Sequence, residues 1–190
     1  MEVPFRTEDG PTWTVRSSRS KPSARVERPS ATALSIKVSR GAGSGPTRLA
    51  AFDSALMACG VADFNLVKLS SVIPSGAEVI EVSSDQQHRG GHGDLLYCVY
   101  ADAYTSTPGE LAWAGVAWAV RNNGSKDGML VEHTGLSEAL LNRDLQASLG
   151  AMSAARGGVY EPAGLATISA LCVDHPVCAL VIATYRTAAW

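Results

Sequence analysis

The residues most open to unusual chemistry are Ser70 and Ser71, a pair that closes the run Asn65-Leu66-Val67-Lys68-Leu69 and precedes Val72-Ile73-Pro74. Val, Leu and Ile around the pair favour extended backbone, and Pro74 biases Ile73 toward β or polyproline geometry. A serine hydroxyl that follows an extended, strained peptide bond can attack the preceding carbonyl and turn the amide into an ester. β-Elimination then breaks the chain and leaves dehydroalanine, which hydrolyses to an α-keto acyl cap on the downstream fragment. Such a carbonyl can capture an amine and act as an electron sink. A serine pair also fits an ordinary strand end, so the neighbourhood has to decide.

Other residues could carry chemistry of their own. Gly41, Gly43 and Gly45 read as a tight loop before a helix, a place where phosphate can be cradled. The third glycine of a dinucleotide fingerprint is misplaced, however, and no Gly-Lys-Ser/Thr follows. Cys172, Asp174, His175 and Cys178 are metal-ligand types, but a turn at Asp174-His175-Pro176 puts the sulfurs on different strands. Further ligands are not evident, so no metal is expected. Asp53 and Glu132 each stand in apolar surroundings, as a solvated charge or a positioned acid. His88 and His92 fall in the polar stretch Ser83 to Gly93 and are expected to be exposed loop residues.

The elements that must position these residues follow from periodicity. Thr32 to Ser39 alternates with period two and predicts the first strand. Ser44 or Gly45 is placed to cap a helix whose first turn suits Pro46. Leu49, Phe52, Leu56 and Met57 share one face of it, Ala51 and Ala55 allow close packing, and Gly60 is a natural stop. Gly76 to Val82 alternates weakly. Asp94 to Tyr104 and Leu111 to Val120 read as neighbouring strands joined by a turn at Thr105 to Gly109. The second is almost wholly apolar, which predicts burial on both faces. Asn122-Asn123-Gly124 marks a turn, and Met129 to Thr134 a strand. Ser137 opens a helix through Ala139, Leu140, Leu145, Leu149 and Met152, ending near Gly157-Gly158. Gly164 to Val173 and Val177 to Tyr185 are the closing strands. The succession predicts an α+β domain.

Taken together, the blocks Gly41 to Leu56, Ala58-Cys59-Gly60-Val61 and Asn65 to Pro74 resemble the pyruvoyl-dependent arginine decarboxylase family. Its signature is a Gly-x-Gly loop, a helix with Ala-Phe-Asp-x-Ala-Leu, an Ala-x-Gly-Val/Ile turn and Asn-Leu-Val-x-x-Ser-Ser-Ile/Val-x-Pro. The likeness continues through Cys98-Val99-Tyr100-Ala101 and Gly128 to His133, and covers about residues 34–190.

The resemblance implies a four-layer α/β/β/α sandwich, assembled as a homotrimer or a dimer of trimers with sites between protomers. It also implies self-cleavage between Ser70 and Ser71, leaving a covalent pyruvoyl group derived from Ser71. Glu132 takes the place of the family's general acid, and Asp53 that of the aspartate reaching the guanidinium of arginine. Asn65 would hydrogen-bond in the processing or substrate site, with Leu49, Ser70 and Val72 at the substrate. The implied reaction is L-arginine to agmatine and carbon dioxide. The chain departs from the family pattern at Ser44, where an acidic residue is usual, at Gly45, where serine is, and at His133, where tyrosine is.

The bulk properties agree with a compact enzyme of modest size. With 190 residues, 46% hydrophobic and 18% charged, the chain can bury a core. Residues 1–32 mix Arg, Ser, Pro, Thr and Glu without periodicity and are expected to be a flexible extension to a domain over 33–190. A net charge of −2 without a basic stripe disfavours nucleic acid. No apolar stretch suits a bilayer span, and the polar N-terminus lacks a signal-peptide core, so a cytoplasmic protein is expected. Its four cysteines then read as reduced, buried thiols. Three alternatives stay open: a decarboxylase of another amino acid, an unprocessed homologue serving binding or assembly, and a nucleotide-binding domain using the glycine loop.

Overall fold

The computed structural model describes residues 33–190, so the extension expected over 1–32 lies outside the described residues. The elements are β1 (Ser35–Ser44), α1 (Arg48–Cys59), β2 (Asn65–Lys68), β3 (Val72–Ile73), β4 (Glu78–Glu81), β5 (Leu95–Thr105), β6 (Leu111–Arg121), β7 (Gly128–Gly135), α2 (Glu138–Arg156), β8 (Tyr160–Leu171) and β9 (Val177–Ala188). They form an α+β domain with two sheets, of strand order β2-β5-β9-β1-β4 and β3-β7-β6-β8.

Three separate cores give the layering. Val38, Val99, Val116, Trp118, Leu130 and Val181 pack between the sheets. Ala51, Ala55, Cys59, Leu96, Cys98, Leu180 and Ile182 fill the space between α1 and the outer face of the first sheet. Leu141, Leu145 and Leu149 of α2 lie on Ala117, Ala119, Met129 and Val131 of the second. Helix, sheet, sheet and helix are therefore stacked in that order. β6 is buried on both faces, as its unbroken apolar run requires.

Several sequence expectations change. β5 and β6 are not neighbours in one sheet: β5 pairs with β2 and β9, and β6 with β7 and β8. The Thr105 to Gly109 turn instead carries the chain from one sheet to the other. The same holds at Asp174-His175-Pro176, which links β8 to β9 across the sandwich. Two-residue alternation records which side chains are buried, but not which ladder the strand joins.

The glycine segment is strand rather than loop. Gly41 and Gly43 continue β1 and pair with Leu180 and Cys178 of β9. A Cβ on Gly41 would sit 2.5 Å from the Ala55 carbonyl, and one on Gly43 would collide with the backbone of Ala51 and Ala55. The glycines are there so that α1 can lie against the sheet, and the phosphate-cradle reading falls with the loop. Gly45 has a similar reason, since a Cβ there would lie 2.7 Å from that of Ala50.

The helix is capped by Thr47, whose side chain accepts from the Ala50 N–H; Ser44 ends β1, and Pro46 precedes the cap. Its buried face is Ala51, Ala55, Leu56 and Cys59. Leu49 is 76% exposed and Met57 58%, so the face rests on small residues that allow close approach. Gly60 ends the helix at φ 76°, the left-handed geometry that favours glycine. In α2, Ser137 is the cap, and the buried position in the first turns is Leu141 rather than Leu140.

Candidate active site

β2 and β3 each lie at one edge of their sheets, so the segment Leu69-Ser70-Ser71 passes the chain from one layer to the next. The Leu69 N–H closes the first ladder on the Cys98 carbonyl at 2.8 Å. The Leu130 N–H opens the second on the Ser71 carbonyl at 2.9 Å. Ser70, exposed, is the only residue between those anchors. The turn is completed at Ser71, whose φ of 62° is left-handed. For a residue with a Cβ outside a favourable turn, such a conformation costs about 1–3 kcal/mol. The strain falls on the residue whose hydroxyl follows the Ser70–Ser71 bond.

Ser71 Oγ donates to Glu132 Oε1. Glu132 projects from β7 on the side of Leu130, which lies in the inter-sheet core, and is paired with Val116 of β6. One step along, His133 points the other way, and its Nε2 lies 2.7 Å from Ser148 Oγ on α2. The His133 ring is thus tied to the outer helix.

Tyr185 of β9 completes the setting. Its hydroxyl donates to the Val72 carbonyl at 3.0 Å, and the residue is 5% exposed. Burial pushes its phenol well above the ordinary tyrosine range, and the charge of Glu132 adds to the shift. A cavity of about 300 Å³ beside Glu132 is lined by Lys68, Tyr100, Ala101, Asp102, His133 and Thr134. The Lys68 ammonium lies 4.4 Å from the centre of the Tyr100 ring, and Tyr104 donates to Asp102 at 2.8 Å.

The other residues singled out from sequence lie elsewhere in the protomer. Asn65 starts β2 and donates through Nδ2 to the Gly93 carbonyl at 2.6 Å. It and Ser71 lie at opposite ends of the segment made by β2 and the crossover. Asp53 is exposed on α1 and lines a separate cleft of about 720 Å³ with Met57, Asp63, Phe64, His88 and Arg89. Leu49 lies beside it on the same exposed face. Neither lines the cavity at Glu132. Val72 is 45% exposed at the crossover. A single protomer thus brings together Ser70, Ser71, Val72 and Glu132, and holds Leu49, Asp53 and Asn65 apart from them.

The two loop histidines differ. His92 is exposed, facing Asp63 at 3.2 Å. His88 is half-buried, with Nε2 3.3 Å from the Thr184 carbonyl, and burial lowers its pKa. It follows Gln87, which is buried between Ser39 and Thr184 at 2.8 Å from each. Sequence reading missed Tyr185; a tyrosine just after the mostly apolar run Val177 to Ala183, whose hydroxyl must find a partner when buried, was the available signal.

The family model for pyruvoyl-dependent arginine decarboxylase matches residues 35–174. The chain is 32% identical over 104 residues to the pyruvoyl-dependent arginine decarboxylase of Methanothermobacter thermautotrophicus, covering 55% of this chain and 64% of the relative. It is 41% identical over 87 residues to that of Halobacterium salinarum, covering 46% and 53% respectively. Against the Thermococcus kodakarensis protein of the same name it is 38% identical over 91 residues, covering 48% and 55%. The chain spans from about half to just under two thirds of these relatives' lengths.

Proposed function

The chain belongs to the pyruvoyl-dependent arginine decarboxylase family, and from that premise we propose that it is a self-processing decarboxylase converting L-arginine to agmatine and carbon dioxide. The observation that carries this reading is the strained Ser71 at the sheet crossover, its hydroxyl held by Glu132.

In the processing step Ser71 Oγ attacks the Ser70 carbonyl carbon. The C–N bond between the residues is replaced by a C–O bond, and the hydroxyl proton ends on the freed amine. Loss of the Ser71 α-hydrogen expels the Ser70 carboxylate, and water then displaces the nitrogen as ammonia to leave a pyruvoyl group at residue 71. The residues fit that group: the hydroxyl is engaged, the strained peptide has relief to gain, and the Leu130 N–H holds the carbonyl that is retained. Once formed, the group supplies a carbonyl that takes up the substrate's α-amine and accepts the electrons left when carbon dioxide departs.

The chain's own side chains do the rest. Glu132, beside residue 71, returns a proton to the substrate's α-carbon, as a positioned general acid should. Asp53 accepts parallel N–H bonds from the guanidinium, a geometry that a compact ammonium cannot match. Leu49 and Val72 offer apolar surface to the substrate's methylene chain, with Ser70 at the cut end, and Asn65 orients the site by hydrogen bonding.

Since Leu49, Asp53 and Asn65 do not meet Ser71 within a protomer, the site is assembled between protomers of a homotrimer, or of a dimer of trimers. The compartment is cytoplasmic, a reading supported by four buried, unpaired cysteines. Among the described residues no helix is long and apolar enough to cross a membrane.

The test is amine and carbon dioxide release from a panel of amino acids by the purified protein. Agmatine should appear from arginine, with lysine and ornithine poor substrates, and phenylhydrazine should abolish turnover. Release from another amino acid with arginine inert would overturn the substrate while leaving the chemistry.

A further inference from the structure

Resting on the self-processing reading above, we infer that Tyr185 is a positioning residue for chain scission, acting through the Val72 carbonyl on the geometry of Ser71. β3 has two residues, paired to β7 at Val72↔Met129 and Ile73↔Gly128. Because the Ser71 carbonyl is taken by the Leu130 N–H, strand alternation turns the Val72 carbonyl away from β7, toward the free edge. An unpaired edge carbonyl leaves the Val72–Ile73 peptide, one residue past Ser71, free to rock. Tyr185 removes that freedom by reaching across from the other sheet to donate to it at 3.0 Å.

The hold is rigid because its base is rigid. β9 lies at the centre of the first sheet between β5 and β1, and the Tyr185 ring packs in the inter-sheet core. The raised phenol pKa keeps the hydroxyl protonated, hence a donor, throughout the neutral range. Ser71 is thereby fixed on three sides: its hydroxyl on Glu132, its carbonyl on Leu130, and the next carbonyl on Tyr185. The left-handed turn needs such over-determination to persist, since an unconstrained residue with a Cβ would relax to negative φ. Attack on the Ser70 carbonyl depends on that turn, because it sets the approach of Oγ to the preceding carbon. Tyr185 itself exchanges no proton or bond in the step.

Tyr185→Phe keeps the ring and removes only the donor. Scission of freshly purified full chain, followed by denaturing mass spectrometry, should slow by roughly three- to tenfold, the loss of one neutral hydrogen bond. Thr184→Val is the control: it sits next door on β9, is fully buried, and bonds Gln87 at 2.8 Å on the opposite face. It should lower the melting temperature at least as much as Tyr185→Phe while splitting at the wild-type rate. Two results would overturn the inference: Tyr185→Phe splitting at the wild-type rate, or Thr184→Val slowing scission as much, which would make general loosening the cause. A wild-type chain that never splits would remove the self-processing reading as well, a different failure.

Discussion

Glu132 holds the Ser71 hydroxyl through one carboxylate oxygen, and a glutamine in its place keeps an acceptor of the same shape. Glu132→Gln should therefore still undergo scission, while lacking the proton that the α-carbon must receive. Turnover of the fully split variant should fall roughly a hundred- to ten-thousandfold, the usual contribution of a positioned acid. Unchanged single-turnover rates would take Glu132 out of the mechanism. Asp53→Asn keeps the volume and loses the charge, which would weaken the proposed charge-assisted contact with the guanidinium, about 1.5–3 kcal/mol. Arginine binding should weaken by about ten- to a hundredfold, with scission intact, as read by calorimetry on the split protein. At this scale the sequence was informative about chemistry and poor about partners. The serine pair and Glu132 could be named from motif alone, but the bond between them joins residues 61 positions apart, which no local pattern announces. Tyr185 carried no motif, and its role depends on a carbonyl that only strand alternation exposes.

The element that shapes the first sheet's outer face is the contact of α1 with β1, made by Gly41 and Gly43 against Ala51 and Ala55. Gly43→Ala inserts a methyl where backbone atoms already stand, and overpacking of that kind costs about 1–3 kcal/mol. The urea midpoint should fall accordingly with the slope unchanged, whereas an unaltered midpoint would mean that helix and strand have room to part. Here periodicity and motif pointed different ways. Glycine spacing reads as a loop because loops use glycine for conformational freedom, yet these two lie within a strand and serve close approach. Residue types across Asn65 to Pro74 predict extended backbone, and the run is extended at both ends. Its division at Ser70-Ser71 was invisible because nothing local says that β2 and β3 join different sheets. Both helices and most strand positions followed from apolar spacing, since burial sets that pattern directly.

For the whole molecule, buried thiols set an alkaline limit. Burial raises Cys59 to about 11 and Cys98 and Cys178 to about 12, against 9.0 for a free thiol. The folded state thus favours the protonated form. Their contribution is fully present below pH 9.0 and is lost as pH rises toward the folded values of about 11 and 12. The melting temperature should decline across that window, and a chain with all three replaced by alanine or valine should show a shallower decline. Assembly is the second property at this scale. If sites form between protomers, co-expressed Glu132→Gln and Asp53→Asn chains should recover activity at low arginine that neither shows alone. No recovery in a verified mixed assembly would place the whole site in one chain.

Ser71 is proposed to break its own chain, and a denaturing mass spectrum of the purified protein tests that most directly. Two fragments are predicted, one ending at Ser70 and one beginning with a carbonyl-bearing residue 71 that reacts with hydrazine. Ser71→Ala should give a single chain. An intact wild-type mass after prolonged incubation, with no hydrazine-reactive fragment, would contradict it.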